Sequence, residues 1–300
     1  GCAWPDPDDH RSSFEFCETG VKAFVTEATK KRVTPEKMRG ISVTELSKLT
    51  DMELDKMGRI TNPLFLKEGE DTYEEIDWGS AFKIIASRIS GSDDPDENVF
   101  YTSGRASNEA AFLWGVLARQ IGTNNLPDCS NMCHESSGVA LSRSIGIGKG
   151  TVKLSCFEEA DLILVIGQNP GTNHPRMLTA LAACKENGGS VVSINPLEET
   201  AMKRFKHPQN PLHLIGRGVQ IADEHLPVRI GGDAALLQGF AKTMLSQGGT
   251  DPDFISKNTL GFEDWKRHIE STDWETIVEQ SGISRDRIEK TGTAIAKSER

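Results

Sequence analysis

The chain has 300 residues, 37% hydrophobic and 26% charged, and its 34 Lys and Arg against 44 Asp and Glu leave a formal charge of −10. That length supports one large or two modest domains. The acidic balance argues against a general nucleic-acid binder, whose phosphate contacts need a clustered cationic surface, and no run of about 18 consecutive apolar residues is present to span a membrane as a helix.

Six unevenly spaced cysteines fall far short of a disulfide scaffold and point to a reducing compartment or to metal ligation. The chain begins at Gly1 without Met and stops at Arg300 within a helical pattern. It reads as a piece of a longer protein, and any export signal would lie upstream of Gly1.

Residues 1–62 are polar, broken by Pro5, Pro7, Pro35, Gly40 and Gly58, and read as a small loop-rich unit. Apolar residues at Ala81, Ile84, Ile85 and Ile89 recur at helical spacing, predicting an amphipathic helix from about Ile76 to Ser90 that Gly91 and Pro95 end. Asn98–Thr102 reads as a short buried strand, followed by Ser103-Gly104-Arg105 and a helix over Asn108–Ile121. A sharper strand, turn and helix unit comes later, with the run Asp161–Ile166, the turn Gly167-Gln168-Asn169-Pro170 and a helix from about Pro175 to Asn187. A third strand is predicted at Ser190–Pro196, and the tail from about Asp233 to Arg300 is helical. Continuous apolar runs alternating with helical periods predict an α/β fold with a doubly wound parallel sheet.

In open parallel sheets, ligands bind beyond the carboxyl ends of strands, where loop amides and helix N-termini face a crevice. Three such ends carry suitable loops: Gly104, Arg105 and Asn108; Gly167, Asn169 and His174; and Asn195 with Pro196. Glycine lets backbone approach a phosphate closely, Asn supplies neutral hydrogen bonds and Arg105 can clamp an anion. None of the three is a dinucleotide or P-loop fingerprint, and each taken singly is also compatible with an ordinary turn.

Cys133-His134 is the second focus: a thiolate can ligate a soft metal, and an adjacent imidazole can move a proton near neutral pH. The alternative is a buried Cys beside a satisfied His. His174 has a similar alternative, a helix-start side chain bonded to backbone. Cys2 and Cys17 lie in the loop-rich first segment, and two thiols alone do not make a cubane, which usually takes four. Cys129, Cys156 and Cys184 read as packing residues.

Taken together, Gly122-Thr123-Asn124-Asn125, Asp128-Cys129, Cys133-His134 and Gly167-Gln168-Asn169-Pro170 with His174-Pro175 resemble the molybdopterin-dependent oxidoreductases of the formate dehydrogenase alpha-subunit type. The likeness in order and separation runs from residue 98 to about 300. The opening Gly1-Cys2-Ala3-Trp4 with Phe16-Cys17-Glu18 is similar to a branch with a modified iron–sulfur motif.

The resemblance implies that Cys133 ligates molybdenum or tungsten, with His134 beside the reacting atoms. It implies a bis-molybdopterin guanine dinucleotide held by Gly104, Arg105, Asn108, Gly167, Asn169, His174, Asn195, Gly232 and Asp233, and a 4Fe-4S cluster with Cys2 and Cys17 among its ligands. Lys22 resembles the lysine lying between cluster and pterin. The implied domains are an iron–sulfur-like segment 1–62, an α/β part with the metal-ligand loop 63–140, and a Rossmann-like dinucleotide-binding domain 141–300.

The resemblance further implies two-electron chemistry on a small molecule such as formate, an electron-transfer partner protein and a cytoplasmic setting, which an upstream twin-arginine signal would overturn. Two departures stand out. The family's third strand ends Asp-Pro-Arg whereas this chain reads Asn195-Pro196-Leu197, and cysteines are sparse after Cys2. Both are also what a redox-inactive scaffold or assembly subunit retaining the fold would show.

Overall fold

The computed structural model describes residues 16–102, 106–127, 130–207 and 215–300. Two compact units emerge, one of the described residues up to Ala23 together with Val152–Arg300, the other Phe24–Thr151.

The first unit is built on a parallel sheet of β5 (Leu162–Ile166), β6 (Ser190–Ile194) and β7 (Glu224–Leu226), in the order β5-β6-β7. Leu162 pairs with Ser190 and Ile166 with Ile194, while Val192 pairs with Glu224 and Ile194 with Leu226. Successive strand residues point to opposite faces, so an apolar run feeds two cores at once. Ile163, Val165 and Val191 pack with Met177, Leu178, Leu181 and Met202 on one face. Leu162, Leu164, Val192, Ile194 and Leu226 pack with Leu236, Phe240, Ile277 and Ile288 on the other. Each fully buried aliphatic side chain contributes about 1.5–3 kcal/mol. Helices cover both faces of the parallel sheet, as the alternation of apolar runs and helical periods requires.

Local signals set the helix bounds. Asn169 Oδ1 accepts from Thr172 N at 3.1 Å and opens the short helix Pro170–Asn173, and Met177–Glu186 follows. The helices Asp233–Ser246, Trp274–Ser281 and Arg285–Lys297 pack closely. At Gly239 an added Cβ would lie 2.6 Å from Ile288 Cγ2, and at Gly292 it would lie 2.6 Å from Thr243 Cβ. The Lys242 ammonium donates to the carbonyls of Glu270 and Thr272, both at 2.7 Å, closing the end of the helix Phe262–Ser271.

The second unit is mostly helical and loop-rich. Its strands are two residues long: β1 (Arg32–Val33) pairs in parallel with β2 (Arg59–Ile60), and β3 (Leu64–Phe65) antiparallel with β4 (Glu74–Glu75). Asp77 caps Trp78–Ile89 by accepting from Ser80 N at 3.0 Å, and Ser107 caps Asn108–Ile121 by accepting from Ala110 N at 3.2 Å. Gly122, at φ +105, ends the latter in the left-handed region that glycine adopts without strain.

The expected buried strand at Asn98–Thr102 does not form as a ladder among the described residues. Only Phe100 is buried, edge-on to Trp114 with ring centroids 5.3 Å apart and its N–H donating to Asn125 O at 2.9 Å. Val99 and Tyr101 on either side are exposed. A strand needs neighbours on its edges as well as an apolar face, and composition reports only the face.

Candidate functional site

In the second unit, Cys133 and His134 lie in a π-helical turn, Asn131–Glu135, which runs directly into the helix Ser136–Ile145. A π turn inserts a residue into the helical register and rotates side chains away from the 3.6-residue rows, a distortion frequent at functional sites. Cys133 and His134 are both exposed, which removes the alternative of a buried Cys beside a satisfied His. Asn131 Nδ2 donates to Glu135 Oε2 across the turn. The His134 side opens on a cleft of 780 Å³ that Glu135, Gly138, Ser142, Arg143 and Gly148 also line. Gly148 folds onto the helix so tightly that a Cβ there would stand 3.0 Å from Gly138 O. Asn108 is the first residue of its helix and is exposed, whereas Gly104 and Arg105 lie outside the described residues.

In the first unit, the loops after β5, β6 and β7 share the carboxyl edge of one sheet. Gly167 N donates to Ile194 O at 2.9 Å and Asn195 N to Leu226 O at 3.2 Å, tying three strand ends into one row. Gly167 has φ +63, and a Cβ there would meet nothing within 4 Å, so backbone is open to close approach. Gln168 and His174 are joined side chain to side chain, Nε2 to Nδ1 at 2.8 Å, so the His174 ring does not turn back to the backbone. Asn195 Oδ1 accepts from Leu197 N at 3.1 Å. Gly232 is buried under Gln280 and Ser281, where a Cβ would stand 2.5 Å from Gln280 O, and Asp233 opens Asp233–Ser246 with its charge at the positive end of the helix dipole.

Lys22 lines a cleft of 310 Å³ in this unit with Arg176, Lys206 and His207, a basic concavity that includes the Glu18 carboxylate. Arg176, Lys206 and His207 escaped sequence reasoning. The available signals were the position of Arg176 directly after His174-Pro175 and the basic pair Lys206-His207. Cys17 is a half-buried free thiol whose Sγ accepts from Gly20 N at 3.3 Å, and Cys2 lies outside the described residues.

Of the expected packing cysteines, Cys184 is fully buried with its Sγ–H on Ala160 O at 3.4 Å, and burial raises its thiol pKa. Cys156 is exposed, a correction: the helix Leu154–Glu158 is a single turn at the edge of the unit, without the length to bury every apolar side chain. Cys129 lies outside the described residues.

Two further polar side chains lie on neighbouring strands. Ser193 pairs with His225 across β6 and β7, and Ser193 Oγ and His225 Nδ1 are both buried without a hydrogen-bond partner. Burial holds the His225 imidazole below its ordinary pKa, against the nearby Glu198 carboxylate, which raises it.

In the first unit, open glycine backbone and amides along the carboxyl edge of the sheet can receive an anionic group, and in the second unit an exposed thiol is a donor suited to a soft metal. Among the described residues no cluster of three or more His, Cys, Asp or Glu could hold a metal ion unaided.

The profile of the molybdopterin oxidoreductase family matches residues 59–269. The chain belongs to that family. An uncharacterized oxidoreductase of Mycobacterium tuberculosis is 45% identical to it over 306 residues, covering 100% of this chain and 39% of the relative. This molybdopterin oxidoreductase chain therefore spans about two fifths of the length of such a relative.

More distant members carry informative names. An F420-dependent formate dehydrogenase alpha subunit of Methanococcus maripaludis is 28% identical, over 77% of this chain and 31% of the relative. The assimilatory nitrate reductase catalytic subunit of Bacillus subtilis is 30% identical, over 80% of this chain and 32% of the relative. The likeness to a nitrate reductase is as strong as that to a formate dehydrogenase. Family membership implies a molybdenum or tungsten pterin cofactor. No helix among the described residues is long and apolar enough to cross a membrane.

Proposed function

We propose that the chain is the N-terminal part of a formate dehydrogenase-like two-electron oxidoreductase that uses molybdenum or tungsten in a bis-molybdopterin guanine dinucleotide. The observation that carries the reading is the exposed Cys133-His134 pair on its π turn. When bound, the pterin-held metal supplies the two-electron redox chemistry, and the protein supplies orientation and electrostatics.

Cys133, as thiolate, would ligate the metal, its exposed side chain being free of a packing role. His134, exposed beside it, would accept or relay the substrate proton. Gly167, Asn169, His174, Asn195, Gly232 and Asp233 would hold the dinucleotide along the sheet edge, with Gly104, Arg105 and Asn108 at the other loop. Lys22, in its basic cleft, would face the pterin. Cys17 and Cys2 are the proposed thiolates of a 4Fe-4S cluster. A cubane usually takes four, so ligands beyond these two would be needed.

The same reading divides the chain at 1–62, 63–140 and 141–300, takes formate as the substrate, an electron-transfer protein as partner and the cytoplasm as the compartment. Cys with His favours formate-type chemistry, and a nitrate reductase among the relatives keeps nitrate as the comparison substrate.

The test is metal content of the complete polypeptide purified anaerobically, by plasma mass spectrometry. About one Mo or W per chain with about four Fe is expected. Cys133→Ser is expected to abolish turnover with formate, and unchanged turnover would remove the ligand assignment. A redox-inactive scaffold is the second reading, favoured by Asn195 in place of an acidic residue and by the sparse cysteines. Absence of both metal and the fluorescent pterin derivative after acid–iodine oxidation would select it.

A further inference from the structure

In the unit built on β5–β7 the large apolar side chains are mostly sealed, and three that are not stand close together in the chain. The helices Pro252–Asn258 and Phe262–Ser271 meet at a corner whose apex is Leu260. Leu260 is fully exposed, and Phe254 before it and Trp265 after it are 57% and 43% exposed. A single exposed leucine is ordinary, but a grouped apolar patch marks an interaction site. Turn positions favour Gly, Pro, Asn, Asp and Ser, so local conformation asks for no leucine at the apex.

Beside the apex lies a cleft of 510 Å³. Ile255, Thr259 and Phe262 line it, and its charged members, Glu263 and Asp264, are both acidic. Trp265 backs Phe262, with ring centroids 5.7 Å apart. Asp264 is paired with Arg267, whereas the exposed Glu263 carboxylate has no ion-pair or hydrogen-bond partner among the described residues. The exposed Lys257 ammonium, in the last turn before Leu260, is likewise unpartnered among them.

We infer that this corner is a contact between two copies of the chain, in which Leu260 of each copy enters the cleft of the other and Lys257 of each meets Glu263 of the other. A different partner protein would need only the knob or only the cleft. A corner that carries a knob, a hole, an unpaired cation and an unpaired carboxylate side by side is self-complementary, and a two-fold axis beside Leu260 satisfies all four twice over in a closed, isologous contact. Seating Leu260 takes from water a side chain that is otherwise wholly exposed, and the opposed charges fix the register. The inference is independent of the cofactor reading above.

The experiment is sedimentation velocity on the complete polypeptide from about 0.1 to 100 μM, with a dissociation constant of about 10 μM expected for so small a contact. Leu260→Asp removes two leucines per dimer and is expected to raise that constant about a hundredfold. Lys257→Glu and Glu263→Lys each set like charges face to face and are expected to weaken the dimer about tenfold at low salt. The chain carrying both substitutions is expected to regain the native constant within about threefold, because the two positions face each other across the contact. All these positions are exposed, so the melting temperatures of the variants should match that of the native protein.

A complete polypeptide that is monomeric throughout, a dimer that Leu260→Asp leaves intact, or a double variant that does not recover would each overturn the inference. A monomeric native protein whose melting temperature falls in Leu260→Asp would overturn it in a specific way, by showing that the rest of the polypeptide covers the corner.

Discussion

The unit carrying β5–β7 and the unit Phe24–Thr151 draw on the same kinds of residue and bury them differently. In the first, Leu181, Ile194, Leu226, Leu236, Ile277 and Ile288 are essentially sealed. In the second, Trp78, Phe82, Phe112 and Leu113 are each more than 60% exposed on helices that are nonetheless well capped. A sheet with helices on both faces gives apolar strand residues partners on either side, because alternate strand residues serve alternate cores. Capping and propensity can set the ends of a helix without supplying anything for its apolar stripe to pack on.

Substitutions in the two units should expose that contrast. The largest effect is expected for Leu236→Ala, a loss of about 2–5 kcal/mol in denaturant unfolding, whereas Phe112→Ala should stay within about 0.5 kcal/mol. Equal losses at the two positions would mean that the Phe112 face is packed in solution. Lys242→Met removes the cation that gathers the carbonyls of Glu270 and Thr272. About 1–2 kcal/mol should go, with faster hydrogen exchange confined to the end of Phe262–Ser271.

A smaller effect of opposite sign is expected at Ser193. Its buried hydroxyl lacks a partner, so Ser193→Ala should raise stability by about 1 kcal/mol in the same unfolding measurement. A loss there would reveal a buried water or ligand on the hydroxyl.

The gentlest probe is acid. His225 has its pKa depressed by burial, with Glu198 and Glu224 raising it and Arg287 and Lys203 lowering it. The unfolded chain therefore takes up its proton first, and stability declines as pH falls through the ordinary value of 6.5 toward the lower folded one. Glu224 is depressed chiefly by its bond from Arg287, so its contribution is present above its ordinary 4.5 and fades as pH falls through its folded value. His225→Gln should flatten the melting temperature against pH between about 7 and 5 and leave the decline at lower pH in place. A profile unchanged by the substitution would show that the ring is not desolvated in solution.

Much of the candidate site was legible because it is local. Asp161–Ile166, Gly167 through Pro170 and Ser190–Pro196 announce strand, turn and strand by apolar runs and glycine, and the structure places β5 within one residue and β6 within two residues of those bounds. Cys133-His134 was legible as a dipeptide, but its exposure was not, since the π turn that presents it follows from hydrogen-bond register that side-chain spacing does not encode. The expected strand at Asn98–Thr102 makes no ladder among the described residues for the same reason: its apolar residues satisfy the pattern, yet a ladder depends on a neighbouring strand.

The sequence alone determined the local conformations and the chemical types available: which segments turn, which run straight, and where a thiol, an imidazole and open glycine backbone stand. Tertiary structure decided their company. It set Ser193 against His225 through strand register, brought Lys22 to Arg176 and Lys206 from distant parts of the chain, and turned Asn195 so that its oxygen faces Leu197 and its nitrogen faces out. Local conformation follows from short-range sterics and hydrogen bonds that each residue carries with it. Neighbourhood and orientation follow from packing and pairing between segments, which exist only once the chain has closed on itself.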